Sequence, residues 1–167
     1  MKLVIIRHGP AGDRTDWEAE GRDDRLRPLT AKGKKEVRRA TKGLRTLVPE
    51  LDLLATSPLT RAVETADIVA EAYGGQVQIL DSLTPESGPE QVMAWIEQQR
   101  GAATVGIVGH EPHLSTLAAF LLAGRPASFM DLKKGGACQL ELADPPRPGR
   151  ATLQWLLTGD ALRLLND

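Results

Sequence analysis

The sequence has little of several residue types, and each shortage excludes a class of protein. Its 167 residues include one cysteine, Cys138, which excludes an internal disulfide framework and a cysteine-rich zinc site. Aromatic residues make up only 4% of the chain, so we expect a core of Leu, Val, Ile and Ala. The 21 Lys and Arg residues nearly balance the 22 Asp and Glu residues, so the chain lacks the net positive charge that is typical of nucleic-acid-binding proteins.

Long hydrophobic runs are also missing. The N-terminal apolar run, residues 3–6, is too short for a signal peptide, and no stretch approaches the ~20 apolar residues of a membrane span. The length and the 26% of charged residues suit one folded domain. No linker, internal repeat or low-complexity tract divides the chain. We therefore expect a cytoplasmic protein with a single domain over residues 1–167 and no membrane partner.

Short aliphatic runs alternate with helical patterns through residue 123. The runs predict strands at residues 3–6, 51–55, 77–80 and 104–108. The periodic segments predict helices at residues 30–48, 58–73, 89–99 and 114–122, the second starting at Pro58 behind a Thr56-Ser57 cap. Residues 137–142 and 151–157 predict an antiparallel pair, and residues 10–28 a long loop. We expect an α/β fold, a three-layer α/β/α sandwich with a mainly parallel central sheet and a C-terminal antiparallel strand pair.

Two of the three histidines follow predicted strands. His8 follows the first strand and His110 the fourth, and each lies beside a glycine, Gly9 and Gly109. Ligands of open α/β sheets bind beyond the carboxyl ends of the strands, and glycine lets the backbone approach a ligand closely. One such histidine alone is more often an ordinary residue that caps backbone groups. Two at equivalent positions favour a site, with Gly9 as a substrate-binding candidate.

Two arginines accompany these histidines. Arg7 precedes His8, and Arg61 lies in the first turn of a predicted helix, where free N–H groups attract anions. A guanidinium fork can bind two phosphate oxygens at once, although a lone arginine is usually a solvated surface charge. Together the four side chains suggest a phosphate pocket in which an imidazole nitrogen attacks phosphorus. Such a pocket requires no metal and no other cofactor.

Four sequence blocks carry a resemblance to a known family. They are residues 3–9 (LVIIRHG), 27–33 (RPLTAKG), 57–66 (SPLTRAVETA) and 108–115 (VGHEPHLS). In this order they resemble the histidine phosphatase superfamily, which has the phosphoglycerate mutase-like fold. The small size and the second block are most similar to the SixA-type branch, whose members act on phosphohistidine in signalling proteins. The resemblance implies that His8 is the phosphorylated nucleophile and that Arg7, Arg61 and His110 form the rest of the phosphate pocket.

Two glutamates are candidates for the general acid. Many family members carry a glutamate after the third strand, where Glu86 lies, and the acid-phosphatase branch has an acid directly after the second histidine, where Glu111 lies. Either could equally be a solvated or helix-capping carboxylate. Expulsion of an alkoxide requires an acid, which contributes about 10²- to 10⁴-fold, whereas a phosphorylated imidazole leaves more easily. We rank Glu86 above Glu111.

The remaining candidates have ordinary interpretations. His113 could suggest a metal pair with His110, but no matching ligands accompany it, and we expect no metal site. Cys138 lies in a predicted strand and is expected to be a small core residue. The helix at residues 30–48 carries seven Lys and Arg residues against one Glu, either a solvated face or a docking surface for an acidic protein.

The sequence is compatible with three functions. The favoured one is a metal-independent phosphatase that acts, through a covalent phosphohistidine, on a phosphorylated protein such as a histidine phosphotransfer domain. The second is a phosphomonoesterase for a small phosphorylated metabolite, a sugar phosphate or a nucleotide. The third is a phosphoprotein-binding module without catalysis. Nucleic acid is not an expected partner.

Overall fold

A six-stranded mixed sheet forms the centre of the protein. The structure, a computed structural model, describes residues 1–165. Its strands are β1 (Lys2–Arg7), β2 (Leu53–Thr56), β3 (Val77–Ile79), β4 (Thr104–Gly109), β5 (Ala137–Glu141) and β6 (Thr152–Leu157), in the order β3-β2-β4-β1-β5-β6. The first four strands are parallel, while β5 runs antiparallel to β1 and to β6. This confirms the mainly parallel sheet with a C-terminal antiparallel pair.

Helices cover both faces of the sheet. They are α1 (Arg14–Ala19), α2 (Ala31–Leu47), α3 (Thr60–Tyr73), α4 (Pro89–Glu97), α5 (His113–Ala123) and α6 (Gly159–Leu164). In β1, Leu3 and Ile5 pack under α4 and α5, whereas Val4 and Ile6 pack under α2, α3 and α6. Adjacent residues of a strand face opposite sides, so a strand buried on both sides is a continuous aliphatic run. The predicted three layers are confirmed, and no helix within residues 1–165 is long and apolar enough to cross a membrane.

The segment at residues 10–28 is more ordered than predicted. It contains α1 and a 3-10 turn, Asp24–Leu26, each capped by the side chain of the preceding aspartate, Asp13 or Asp23. Neither element has a buried residue, so neither leaves a hydrophobic period in the sequence. The prediction of a long loop over the whole segment missed these two short elements for that reason.

The start of α3 also differs from the prediction. The helix begins at Thr60 instead of Pro58, and its N-cap residue, Leu59, makes no side-chain cap bond. Ser57 does not cap the helix, because its Oγ accepts a hydrogen bond from the Leu59 N–H at 3.3 Å, before the first turn, and also contacts His110. The helix ends at Gly74, which has a left-handed φ of 76°, as the Gly74-Gly75 pair predicts.

Candidate active site

The carboxyl ends of the parallel strands open into a cavity of about 370 Å³. Arg7 ends β1, His8 follows it, and His110 follows β4. Arg61 reaches the same cavity from the first turn of α3. The structure thus brings together the four residues that strand-end position and charge single out. The lining is completed by Arg14, Asp24, Arg25, Arg27, Leu59, Pro85, Glu86, Glu111 and Lys134.

The two imidazoles lie side by side, with ring centroids 5.1 Å apart and planes tilted by 51°. Nδ1 of His8 lies 2.8 Å from the carbonyl oxygen of Gly9. Because a carbonyl only accepts hydrogen bonds, Nδ1 carries the proton and donates it. In neutral His8 the lone pair therefore resides on Nε2. Nε2 of His110 lies 2.8 Å from Oγ of Ser57, which fixes the second ring.

Three nitrogens of the cavity residues are buried without a protein partner. They are Nε of Arg7, Nε of Arg61 and Nδ1 of His110. The other edges of both guanidiniums are held by protein, since Nη1 of Arg7 donates to the Leu132 carbonyl at 2.6 Å and Nη1 of Arg61 to the Asp24 carbonyl at 2.9 Å. Buried polar atoms without partners require an explanation, and these three belong to residues that line the cavity.

Burial keeps both imidazoles neutral. Desolvation, opposed by the hydrogen bond to Gly9 and assisted by the charges of Arg61 and Arg7, lowers the pKa of His8 to about 3. Desolvation and the neighbouring His8 lower the pKa of His110 to about 2. At neutral pH the His8 ring is therefore unprotonated at Nε2, which is the form that a nucleophile requires.

These low pKa values predict that the protein loses stability in acid. Below pH 6.5 the unfolded chain binds protons at histidines that the folded chain keeps neutral. The free energy of unfolding therefore decreases as the pH is lowered, until the pH reaches the pKa of the histidine in the folded protein. The contribution of His8 changes by about 1.5 kcal/mol between pH 6.5 and 5. Denaturant unfolding of wild type and His8→Gln at both pH values measures it. A difference between the two proteins that stays constant with pH would contradict the lowered pKa.

The two candidate acids lie in different surroundings. Glu86 is exposed at the mouth of the cavity. Glu111 also reaches the cavity, but its Oε1 accepts a hydrogen bond from the Ser115 N–H in the first turn of α5 at 2.9 Å. Glu111 therefore makes the helix-capping contact that is the alternative to a role as the acid. Glu86 remains the candidate acid with the freer carboxylate.

Several charged cavity residues were not singled out from the sequence. Arg14, Asp24, Arg25 and Arg27 come from the segment at residues 10–28, and Lys134 comes from the connection between α5 and β5. With them the lining holds six cationic side chains and three acidic ones, although the whole chain has a net charge of −1. The cavity is therefore a local concentration of positive charge that attracts anionic substrates.

Gly9 lies beside the cavity and packs against α2. Its N–H donates to Oγ1 of Thr65 at 3.1 Å, and a Cβ at this position would lie 2.3 Å from Cγ2 of Val37. Gly9 is not among the residues that line the cavity. The structure thus explains this glycine by close packing, and its contact with substrate stays a prediction.

The other sequence candidates lie outside the cavity lining. His113 is buried at the start of α5, and burial raises the pKa of Cys138 in β5 to about 12, which makes its thiol unreactive. Within residues 1–165 no group of three His, Cys, Asp or Glu residues could hold a metal ion. On α2 the side chains of Lys32, Lys35, Arg38, Lys42 and Arg45 are exposed, and their role in docking stays a prediction.

Comparisons with known proteins establish the family. The model of the histidine phosphatase superfamily, branch 1, matches residues 3–85. An uncharacterized protein of Picosynechococcus sp. is 34% identical over 157 residues, which cover 92% of this chain and 89% of the relative. The chain belongs to the histidine phosphatase superfamily. Phosphohistidine phosphatase SixA of Escherichia coli is 25% identical over 168 residues, which cover 98% of both chains.

A solved structure supports the same assignment for this histidine phosphatase. The protein histidine phosphatase SixA complexed with tungstate superimposes with a TM-score of 0.82 at 26% identity, covering 97% of this chain and 99% of the other. The resemblance to the SixA-type branch is thus confirmed, and the protein is a phosphatase.

Proposed function

We propose that this phosphatase works through a covalent phosphohistidine on Nε2 of His8. The hydrogen bond of Nδ1 to the Gly9 carbonyl carries the proposal, because it places the lone pair on Nε2. That lone pair attacks phosphorus, an N–P bond forms, and the bond from phosphorus to the leaving group breaks with its electron pair. Water then attacks the phosphorus of this phosphohistidine, an O–P bond forms, and the N–P bond breaks with its electron pair returning to Nε2. The attacking water loses a proton to solvent, so His8 is regenerated and inorganic phosphate leaves.

The remaining cavity residues stabilise the transferring phosphoryl group. Its charge is spread over three equatorial oxygens, and Arg7, Arg61 and His110 line the cavity, each with one buried nitrogen that has no protein partner. Guanidinium groups donate charged hydrogen bonds to such oxygens without any reorganisation of water. The arginines therefore supply the electrostatic stabilisation that a metal ion supplies in other phosphatases, and the proposed reaction is metal-independent.

The substrate that fits best is the phosphohistidine of a protein, such as a histidine phosphotransfer domain. The similarity to SixA supports this substrate, and so do the two candidate acids. The Glu111 carboxylate already accepts a hydrogen bond from Ser115, and Glu86 is exposed with no contact within residues 1–165 that fixes it. Neither carboxylate is therefore both free and held in position to protonate an alkoxide. A phosphorylated imidazole is a better leaving group and depends less on such an acid.

Turnover on a panel of substrates tests this proposal. With EDTA present, we expect kcat/KM for a phosphorylated histidine phosphotransfer protein to exceed that for p-nitrophenyl phosphate and sugar phosphates by about 10²-fold or more, the contribution of a missing acid. His8→Ala serves as the blank. A preference for the esters would instead favour the phosphomonoesterase of small metabolites and assign an essential role to Glu86.

A further inference from the structure

One carboxylate lies among the cationic side chains of the cavity. Asp24 accepts a hydrogen bond from Nε of Arg27 at 2.8 Å and lies 3.2 Å from Nη2 of Arg61. Nε of Arg14 lies 3.9 Å from the same carboxylate. The carbonyl oxygen of Asp24 also accepts a hydrogen bond from Nη1 of Arg61 at 2.9 Å. Asp24 thus contacts Arg61 through both its backbone and its side chain.

These contacts fix the orientation of the Arg61 guanidinium. Both terminal nitrogens face Asp24, while Nε, on the remaining edge of the group, is buried without a protein partner. A planar group held by two of its nitrogens cannot rotate freely, so Asp24 determines where Nε points. Arg61 is only 5% exposed, so water cannot take over this task.

Asp24 also connects Arg61 to the segment at residues 10–28. Arg27 is 7% exposed and donates from Nη1 to the Gly12 carbonyl at 2.6 Å, while its Nε binds Asp24. Although desolvation opposes it, the hydrogen bond from Arg27 and the charge of Arg61 hold the pKa of Asp24 below its usual range. The carboxylate is therefore charged at neutral pH and separates guanidinium groups that would otherwise repel one another.

We propose that Asp24 is a positioning residue, which holds Arg61 in the orientation that stabilises the transferring phosphoryl group. The inference rests on the role proposed above for Arg61. The positioning role of Asp24 differs from that of a purely structural contact in one measurable respect. The carboxylate of Asp24 orients the arginine, but it also repels an oxyanion bound in the cavity. Loss of its charge should therefore lower kcat and leave the affinity for phosphate unchanged or tighter.

Asp24→Asn tests this consequence. We expect kcat to fall at least tenfold, while the inhibition constant of inorganic phosphate stays equal to that of wild type or decreases. Asp23→Asn is the matched control, because it removes the same charge from the adjacent residue, whose carboxylate accepts only from the Arg25 N–H. We expect kcat of this control within twofold of wild type. Weakened phosphate inhibition in Asp24→Asn, or an unchanged kcat, would overturn the proposal.

Two further variants keep the test decisive. Asp24→Glu retains the charge, and we expect its kcat within about fivefold of wild type, whereas a value as low as that of Asp24→Asn would contradict the role of the charge. In an Arg61→Met background, Asp24→Asn should change kcat less than twofold, since Asp24 acts through Arg61. Independent effects in this double-mutant cycle would overturn the inference. The comparison requires only phosphatase activity, whereas the proposed function fails separately if His8→Ala stays active.

Discussion

Replacement of His8 by alanine is expected to lower phosphatase turnover by about 10⁴-fold or more, because it removes the proposed attacking nitrogen. Arg7, Arg61 and His110 would still bind the phosphoryl group, so the loss should appear in kcat and not in the affinity for phosphate. Steady-state kinetics on phosphohistidine protein and on p-nitrophenyl phosphate, together with inhibition by inorganic phosphate, measure both quantities.

His113→Gln is the matched control for this substitution. His113 is also a buried histidine whose pKa is lowered by desolvation, but it lies at the start of α5 and does not line the cavity. We expect this variant, once its folding is verified by circular dichroism, to retain kcat within a few-fold of wild type. Residual turnover above about 1% in His8→Ala would mean that another group attacks phosphorus.

Arg61→Met is expected to lower kcat by about 10²- to 10³-fold, the usual cost of removing one donor to a developing oxyanion. Methionine keeps much of the apolar volume of this buried side chain, so the packing of the first turn of α3 is largely preserved. In the proposed mechanism the loss arises because the guanidinium of Arg61, whose Nε has no protein partner, no longer donates to the equatorial oxygens. Rapid-mixing measurement of the phosphorylation step separates this effect from product release.

Arg125→Met is a suitable comparison, because Arg125 is exposed beyond the end of α5. It makes the same chemical change without altering the cavity, and its kcat should match that of wild type. If kcat of Arg61→Met falls by less than about tenfold, the guanidinium stabilises the folded cavity more than the transition state.

The central layers of the fold could be predicted because their cause is local. The aliphatic runs of β1 and β4 are buried on both faces, and the period of α2 follows from the residues that it buries. α1 could not be predicted, because it buries no residue and so leaves no hydrophobic period, although the Asp13 side chain caps its start. α6 was missed for a different reason. Its packing depends on Gly43 of α2, where a Cβ would lie 1.7 Å from the Leu162 carbonyl oxygen.

Some residues of the candidate site could be predicted from the sequence and others could not. His8, His110 and Arg61 could be found because each follows a predicted strand, and the topology brings strand ends together. Asp24 and Lys134 could not be found, because neither follows a predicted strand. Asp24 begins a 3-10 turn that buries no residue, and Lys134 lies between α5 and β5. The identity of the general acid could not be predicted from the sequence, because a carboxylate can either cap a helix or donate a proton. In the structure Glu111 makes the capping contact.

The most direct test of the account is to trap the phosphorylated enzyme. Phosphohistidine protein labelled with ³²P would be mixed with the phosphatase in EDTA, quenched within milliseconds in alkali and digested for mass spectrometry. A covalent intermediate on His8 predicts an acid-labile, alkali-stable phosphate on the peptide that contains this residue, formed at a rate no slower than turnover and absent from His8→Ala. Full turnover with no label on His8 at any quench time would contradict the covalent mechanism.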